Sequence, residues 1–230
     1  MKRSFRFVPI LPVLAGLLLL APAPLASQGN AGGEALGILE AAAERFGNLS
    51  AFCARFDQEI QNRILRQNTR SHGELCQARP DRFAMDFAAP EGDRVVADGE
   101  TIWIYFPSTD PGQVFRSRTA VADGRFDLHR EFLSEPGERY APTLEGTEVV
   151  DGTETHRLHL EPLQPSPYRS ARIWVGAEDP LIHRLEITED DGLVRVLELS
   201  EMRLNPSLPS DRFDFEPPAG AHIIDRDGRR

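Results

Sequence analysis

Between Gly73 and Pro107 the chain reads as three consecutive antiparallel strands, and no other stretch constrains the fold as strongly. Phe83, Met85 and Phe87 alternate with Ala84, Asp86 and Ala88, the two-residue period of a half-buried strand. Glu91-Gly92 and Asp98-Gly99 fall where hairpin turns need residues that tolerate positive φ. The third strand, Ile102 to Phe106, is apolar on both faces. A sheet with that much aromatic surface needs a cover or an apolar guest. Two facings of the third strand are open. A two-residue turn at Asp98-Gly99 pairs Val96 with Thr101 and sets Trp103 and Tyr105 beside Phe87, which is the arrangement expected here. A three-residue loop instead turns Ile102, Ile104 and Phe106 inward.

The rest of the chain is organised around this sheet. Residues 1–27 carry Lys2, Arg3 and Arg6, then an apolar run to Leu25 and the small residues Ala26 and Ser27. That is the pattern of a cleaved secretory signal peptide, which leaves 28–230 as one soluble domain. A helix is expected from Glu34 to Phe46, where Leu36, Leu39, Ala43 and Phe46 share a face and Gly47-Asn48 supplies a stop. From Ser50 the period is close to 2. Residues 63–71 are polar and read as a hairpin loop. Between Ser108 and Pro142 the pattern is irregular: Gln113 to Ser117 suits a strand, and Arg125 to Ser134 a short amphipathic helix ended by Pro136-Gly137. Further strands are expected at Thr147–Val150, His156–Glu161, Ala171–Val175, Ile182–Thr188, Leu193–Leu199 and Arg212–Phe215. Turns at Asp151-Gly152, Asp179-Pro180 and Asp190-Asp191-Gly192 separate most of them. A few helices set aside from one antiparallel sheet make the class α+β.

An exported chain meets an oxidising compartment, where its two cysteines, Cys53 and Cys76, are expected to pair. They lie on neighbouring strands, on the face opposite Phe52, Ala54 and Phe56, and are expected to face solvent. Closing that loop contributes roughly 3 kcal/mol by the chain-entropy argument.

Composition excludes more than it suggests. With 36 acidic against 26 basic side chains the net charge is −10, and no basic stripe exists to neutralise nucleic-acid phosphates or to give a polybasic grip on anionic lipid headgroups. Removing the three basic residues of the leader makes the remainder more acidic still. His156 and His159 are three apart on a strand, so their rings face opposite ways, and no further histidine or cysteine spacing suits a metal. No nucleophile elbow or phosphate-cradling glycine loop occurs. The expectation is therefore a protein that is not an enzyme and uses no cofactor or metal.

Taken in order, several short motifs resemble one family. Phe56-x-Gln58, Gly73-Glu74-Leu75 and Arg79-Pro80-x-x-Phe83 come first. Val96-Ala97-Asp98-Gly99-x-Thr101-Ile102-Trp103-x-Tyr105-x-Pro107 and Phe213-x-Phe215-x-Pro217-Pro218-x-Gly220 follow. Together they resemble the periplasmic outer-membrane lipoprotein carriers, the LolA family. The resemblance implies an unclosed antiparallel β half-barrel whose concave apolar face lies under a lid of short α-helices, with the lid falling between Ser108 and Pro142. It implies a monomeric periplasmic carrier of acylated lipoproteins. Such a carrier receives cargo from an inner-membrane lipoprotein-releasing ABC transporter and passes it to an outer-membrane acceptor. The acyl cavity expected on this basis is lined by Phe56, Leu75, Phe83, Met85, Phe87, Trp103 and Tyr105. Arg79 corresponds to a family arginine that latches the lid through backbone carbonyls; the plain reading is a surface arginine at a bend before Pro80. Phe83 corresponds to a family residue implicated in receiving lipoprotein, or is simply core. The cysteine pair is not a general feature of the family.

Two other functions remain open at this level. The same half-barrel could move another lipid or a glycolipid, or could sense lipid or lipoprotein as a regulator. A regulator of that kind is expected to have a second domain, for which this chain leaves no room.

Overall fold

The computed structural model describes residues 28–118 and 129–226. The molecule is mostly β. A twenty-residue helix α1 (Gln28–Gly47) precedes strands β1 (Ala51–Asn62), β2 (Gln67–Ala78), β3 (Arg82–Ala89), β4 (Arg94–Asp98), β5 (Thr101–Tyr105) and β6 (Gln113–Arg118). A π-helical turn (His129–Leu133) and the one-turn helix α2 (Pro136–Arg139) lead into β7 (Tyr140–Val150). Then come β8 (Thr153–Pro162), β9 (Tyr168–Gly176), β10 (Ile182–Glu189) and β11 (Leu193–Leu204), a 3-10 turn (Ser210–Phe213) and β12 (His222–Asp225).

All twelve strands form one sheet in the order β12-β6-β5-β4-β3-β2-β1-β11-β10-β9-β8-β7. The two end strands do not pair with each other, so the half-barrel stays unclosed, as expected. Every pairing is antiparallel except that of β12 with β6. Alternation gives each strand an apolar inner row, and these rows form one core with α1. Phe52, Ala54 and Phe56 of β1, Leu75 of β2 and Phe83 and Met85 of β3 belong to it. Leu158 and Leu160 of β8, Ile173 and Val175 of β9, Leu185 of β10 and Leu197 and Leu199 of β11 complete the other half. The helix contributes Ala35, Leu39, Ala42 and Phe46, spaced so that all four lie on one stripe.

Several expectations need correction. The helix begins at Gln28 rather than Glu34, because its first turns carry no apolar stripe to announce them. The 63–71 loop shrinks to Arg63–Arg66: Asn62 pairs with Gln67 and the polar residues beyond continue the ladder. Backbone pairing does not need apolar side chains, and the inward Ser71 hydroxyl accepts a hydrogen bond from Gln58 Nε2 at 3.0 Å. Of the helix expected at 125–134, residues 125–128 lie outside the described residues, and 129–133 form a π-helical turn whose Phe132 and Leu133 enter the core. Pro136 starts α2 instead of ending a helix, since a first-turn position needs no N–H. Arg212–Phe215 is not a strand; Phe213 and Phe215 alternate because both pack down on the outer face.

That outer packing also changes the setting of the cysteines. Cys53 and Cys76 stand directly opposite each other on β1 and β2 and are joined, 23 residues apart in sequence. They do not face solvent: Phe213 from the 3-10 turn covers them, and Cys53, Cys76, Ala84 and Phe213 form a second, outer cluster. With both sulfurs buried, neither thiol should react with a probe until the chain is reduced under denaturing conditions. Removing the bridge should cost about 3 kcal/mol, or roughly 6–12 °C in melting temperature. A calorimetric scan of Cys53→Ala/Cys76→Ala checks this, and an unchanged melting temperature would contradict it.

Gly73 shows why that position carries no side chain. A Cβ there would stand 2.0 Å from the Asp86 carbonyl oxygen on β3, beside the irregularity between His72 and Gly73 in the β2–β3 ladder. The obstacle is backbone, which cannot step aside as a side chain can. Gly73→Ala should destabilise the fold by about 3 kcal/mol or more, read as a lower urea midpoint at unchanged slope.

Candidate functional site: the inner face of the half-barrel

Phe56, Leu75, Phe83 and Met85 all lie buried on the inner face, in one cluster with Phe46 and Leu39 of α1. Phe87 is half-buried at the margin of the same cluster. Its ring meets Phe56 edge-on at 5.1 Å and Phe106 at 5.8 Å. Ile102, Ile104 and Phe106 pack against this core as partly buried side chains. The result is an apolar wall that deepens from Phe87 toward Phe56 and Leu75 and meets α1 where Phe46 packs edge-on against Phe52 at 5.3 Å.

Trp103 and Tyr105 are not part of it, which corrects the expected facing of β5. Met85 stands opposite Val95, and Val95 opposite Ile104, so those three share the inner face. Val96 pairs with Trp103, not with Thr101, and this row points outward. Two connections fix the register. The Phe87 N–H donates to the Asp93 carbonyl at 3.0 Å, and the Asp98 carboxylate accepts the N–H groups of Glu100 and Thr101 at 2.8 Å each. The β4–β5 loop is thereby Gly99-Glu100. A one-residue difference in register reverses every side chain on a strand. Outside, Trp103 and Tyr105 pack on Phe215, with ring centroids 5.8 and 6.0 Å away.

Arg79 reaches back from the end of β2 to the end of α1, and among the described residues its side chain bonds nothing in 108–142, where the lid it would latch was expected. Its Nε donates to the Leu49 carbonyl at 2.8 Å and its Nη2 to the Phe46 carbonyl at 2.9 Å. The Phe46 carbonyl, which also accepts the Leu49 N–H at 3.1 Å, lies at the negative end of the helix dipole, so a guanidinium is well suited to it. Arg45, on the last turn of α1, forms a second tie to Asp179 at 2.6 Å. The Asp179 carboxyl is held below its usual range by that hydrogen bond. Between Arg79, Phe46 and Phe52 lies a crevice of about 40 Å³, far below the roughly 300–1,000 Å³ of a ligand pocket. A larger recess, of about 490 Å³, opens beside Arg130, Glu131, Tyr140 and Tyr168.

A polar cluster fastens the π-helical turn over the other wall, and the sequence reading missed it. Glu131 is buried between Arg139, Tyr140 and Tyr168. Tyr168 donates to its carboxylate at 2.5 Å; the Tyr140 hydroxyl lies 2.6 Å from that of Tyr168 and 2.8 Å from the Glu131 carbonyl. Phe132 packs on both rings. The signal available was an acid inside an otherwise apolar triplet, Glu131-Phe132-Leu133, which invites a neutral donor as partner. Burial pushes Tyr140 up to about 12, and burial with the bond to Glu131 takes Tyr168 higher still. Both phenols hold their protons more tightly folded than unfolded. The stability they contribute is complete below pH 10, the unfolded value, and declines as pH rises from about 10 to 12. A melting series across that range should fall in wild type and be flatter in Tyr140→Phe/Tyr168→Phe.

Residues 47–216 match the family described as outer membrane lipoprotein carrier protein LolA. The chain belongs to this family. An outer-membrane lipoprotein carrier protein from Halorhodospira halophila is 34% identical over 158 residues, covering 68% of this chain and 71% of that one. Another, from Alkalilimnicola ehrlichii, is 27% identical over 188 residues, covering 82% and 84%. Among solved structures, an uncharacterised conserved protein from Thermus thermophilus superposes with a TM-score of 0.55 at 14% identity, covering 84% of this chain and 99% of that one. That likeness concerns the fold. The LolA match includes every inner-face strand residue named above, Arg79, Gly73 and both cysteines, while α1 precedes it almost entirely.

Proposed function

We propose that this LolA-family chain is a periplasmic carrier that takes the acyl chains of lipoproteins onto its inner face and ferries them from the inner to the outer membrane. Membership of a periplasmic lipoprotein-carrier family is the starting point. The observation that carries the reading is the continuous apolar wall of Phe56, Leu75, Phe83, Met85 and Phe87, in one core with α1, a helix strapped at its end by a handful of hydrogen bonds. Apolar burial of acyl chains needs no catalytic group: each buried methylene contributes roughly 0.8 kcal/mol, so the hold on cargo grows with the length of chain inserted. Ile102, Ile104 and Phe106 extend the wall where Trp103 and Tyr105 were expected to.

In this reading residues 1–27 are a cleaved signal peptide and 28–230 a single carrier domain acting as a monomer. Loading is from an inner-membrane lipoprotein-releasing ABC transporter and unloading to an outer-membrane acceptor. Arg79 holds α1 shut in the empty carrier. The test is to purify the protein from periplasm, extract it with organic solvent and identify what it held by mass spectrometry. Acylated amino-terminal cysteine peptides are the expected cargo. Recovery of phospholipid or glycolipid alone would replace the lipoprotein reading with that of a carrier for another lipid.

A further inference from the structure

The β1–β2 hairpin ends in Arg63-Ile64-Leu65-Arg66, and its two aliphatic side chains are 77% and 62% exposed. Among the described residues the other large apolar side chains that stand exposed, Val149, Leu163 and Ile223, lie singly on separate segments. The tip is preformed: Asn62 Oδ1 accepts the Leu65 N–H at 2.9 Å, Arg66 takes a left-handed φ of 53°, and the ladder resumes at once with Asn62 opposite Gln67. On the β3 side, pairing with β2 begins only at His72, so residues 67–71 project past their neighbour, a reach of about 16 Å. Arg70 pairs with Glu59. Among the described residues Arg63 and Arg66 have no ion pair, although Asp190 and Asp191 occupy the adjoining β10–β11 turn.

We propose that this tip is an interfacial anchor that rests on anionic phospholipid. Ile64 and Leu65 would sink below the headgroups while the two guanidiniums bind phosphate at headgroup level, the division of labour of an amphipathic side-chain pair at a bilayer surface. Charge sets the approach. The full sequence has a net charge of −10 and the mature chain is more acidic still, so it is repelled by an anionic surface as a whole and meets it with its cationic tip first. A rigid hairpin also loses little conformational freedom on binding. The tip begins seven residues beyond Phe56, about 23 Å along the strand direction, at the end of the strand pair opposite Arg79. Docking there points the Phe87 end of the apolar wall toward the bilayer and leaves the strap at Arg79 away from it.

The experiment is flotation of the mature protein with vesicles of phosphatidylethanolamine and phosphatidylglycerol, with phosphatidylcholine vesicles as the neutral comparison. Wild type should float with the anionic vesicles at low salt and release as salt rises. Ile64→Ser/Leu65→Ser should weaken the association about tenfold or more. Arg63→Gln/Arg66→Gln should weaken it by roughly 25-fold, a fivefold loss for each arginine removed. Both variants should take up a fluorescent fatty acid as wild type does. Wild type that ignores anionic vesicles, or variants that float equally well, would overturn the proposal. So would a tip variant that fails only in handing cargo to a protein acceptor, because the tip would then dock on protein. A chain that floats by its tip yet takes up no acyl ligand would cost the carrier reading and leave this one standing.

Discussion

Phe87→Asp should abolish loading of acyl cargo while leaving the protein folded. Phe87 is the half-buried member of the inner wall, held by edge-on contacts with Phe56 and Phe106. Losing those ring pairs costs about 1–3 kcal/mol of stability, which a core of this extent survives. For a bound acyl chain the change is much larger. Apolar contact worth about 2 kcal/mol is replaced by a carboxylate that must shed water whenever a hydrocarbon lies against it. Affinity for a fluorescent fatty acid should fall by about 100-fold or more, with an unchanged far-UV circular dichroism spectrum. Undiminished uptake by the folded variant would remove Phe87, and the wall built around it, from the site.

Arg79→Leu should load normally and deliver poorly. The two guanidinium hydrogen bonds to Phe46 and Leu49 carbonyls exist when α1 is seated. At the lower end of the range for charged donors they contribute about 3 kcal/mol to the closed state. Closing the empty carrier offsets part of the cost of giving up acyl chains, so weakening the closed state leaves cargo with less reason to go. A shift of that size is a factor of roughly 100 in the partition between carrier and acceptor. It cannot impede loading, because the open state is the one that binds. A two-step assay, scoring uptake from donor membranes and delivery to acceptor separately, distinguishes the steps. Delivery at the wild-type rate would make Arg79 an ordinary strand-end arginine.

The parts of this molecule that could be read from sequence are those where one local signal has one consequence. Alternation placed Phe56, Leu75, Phe83, Met85 and Phe87 on one face, because those strands are apolar on one side only and a register error would expose the row. β5 is apolar on both sides, so its own residues could not choose a face. The choice was made by Asp98 and Asp93, whose hydrogen bonds set the two loop lengths. Similarly, Phe213-x-Phe215 alternates like a strand but serves the outer face, with one ring on the disulfide and the other on Trp103. Ile223-Ile224 in β12 is too short a run to announce a strand, and it pairs in parallel with a partner more than a hundred residues earlier. The Glu131, Tyr140 and Tyr168 cluster depends on contacts between three elements, which no window of sequence contains.

The C-terminal segment does more than bury a disulfide. After β11 it crosses the outside of the sheet. The Asn205 side chain accepts from Ser50, and Arg212 bonds Glu74 and Asp86 on β2 and β3. Arg94 of β4 donates to the Arg212 and Asp214 carbonyls, Phe215 lies on β5, and β12 fastens to β6. It acts as a tendon stretched over one side of a bow, fixing the curvature of β1 to β6. The opposite limb, β7 to β10, is laced on its outer surface by side-chain ion pairs such as Arg172 with Glu145 and Glu186, and such pairs exchange readily with water. If the carrier reading holds, room for a bulky guest is expected to come from the untensioned limb and the helix laid across it, with the tendon-backed limb as the fixed jaw.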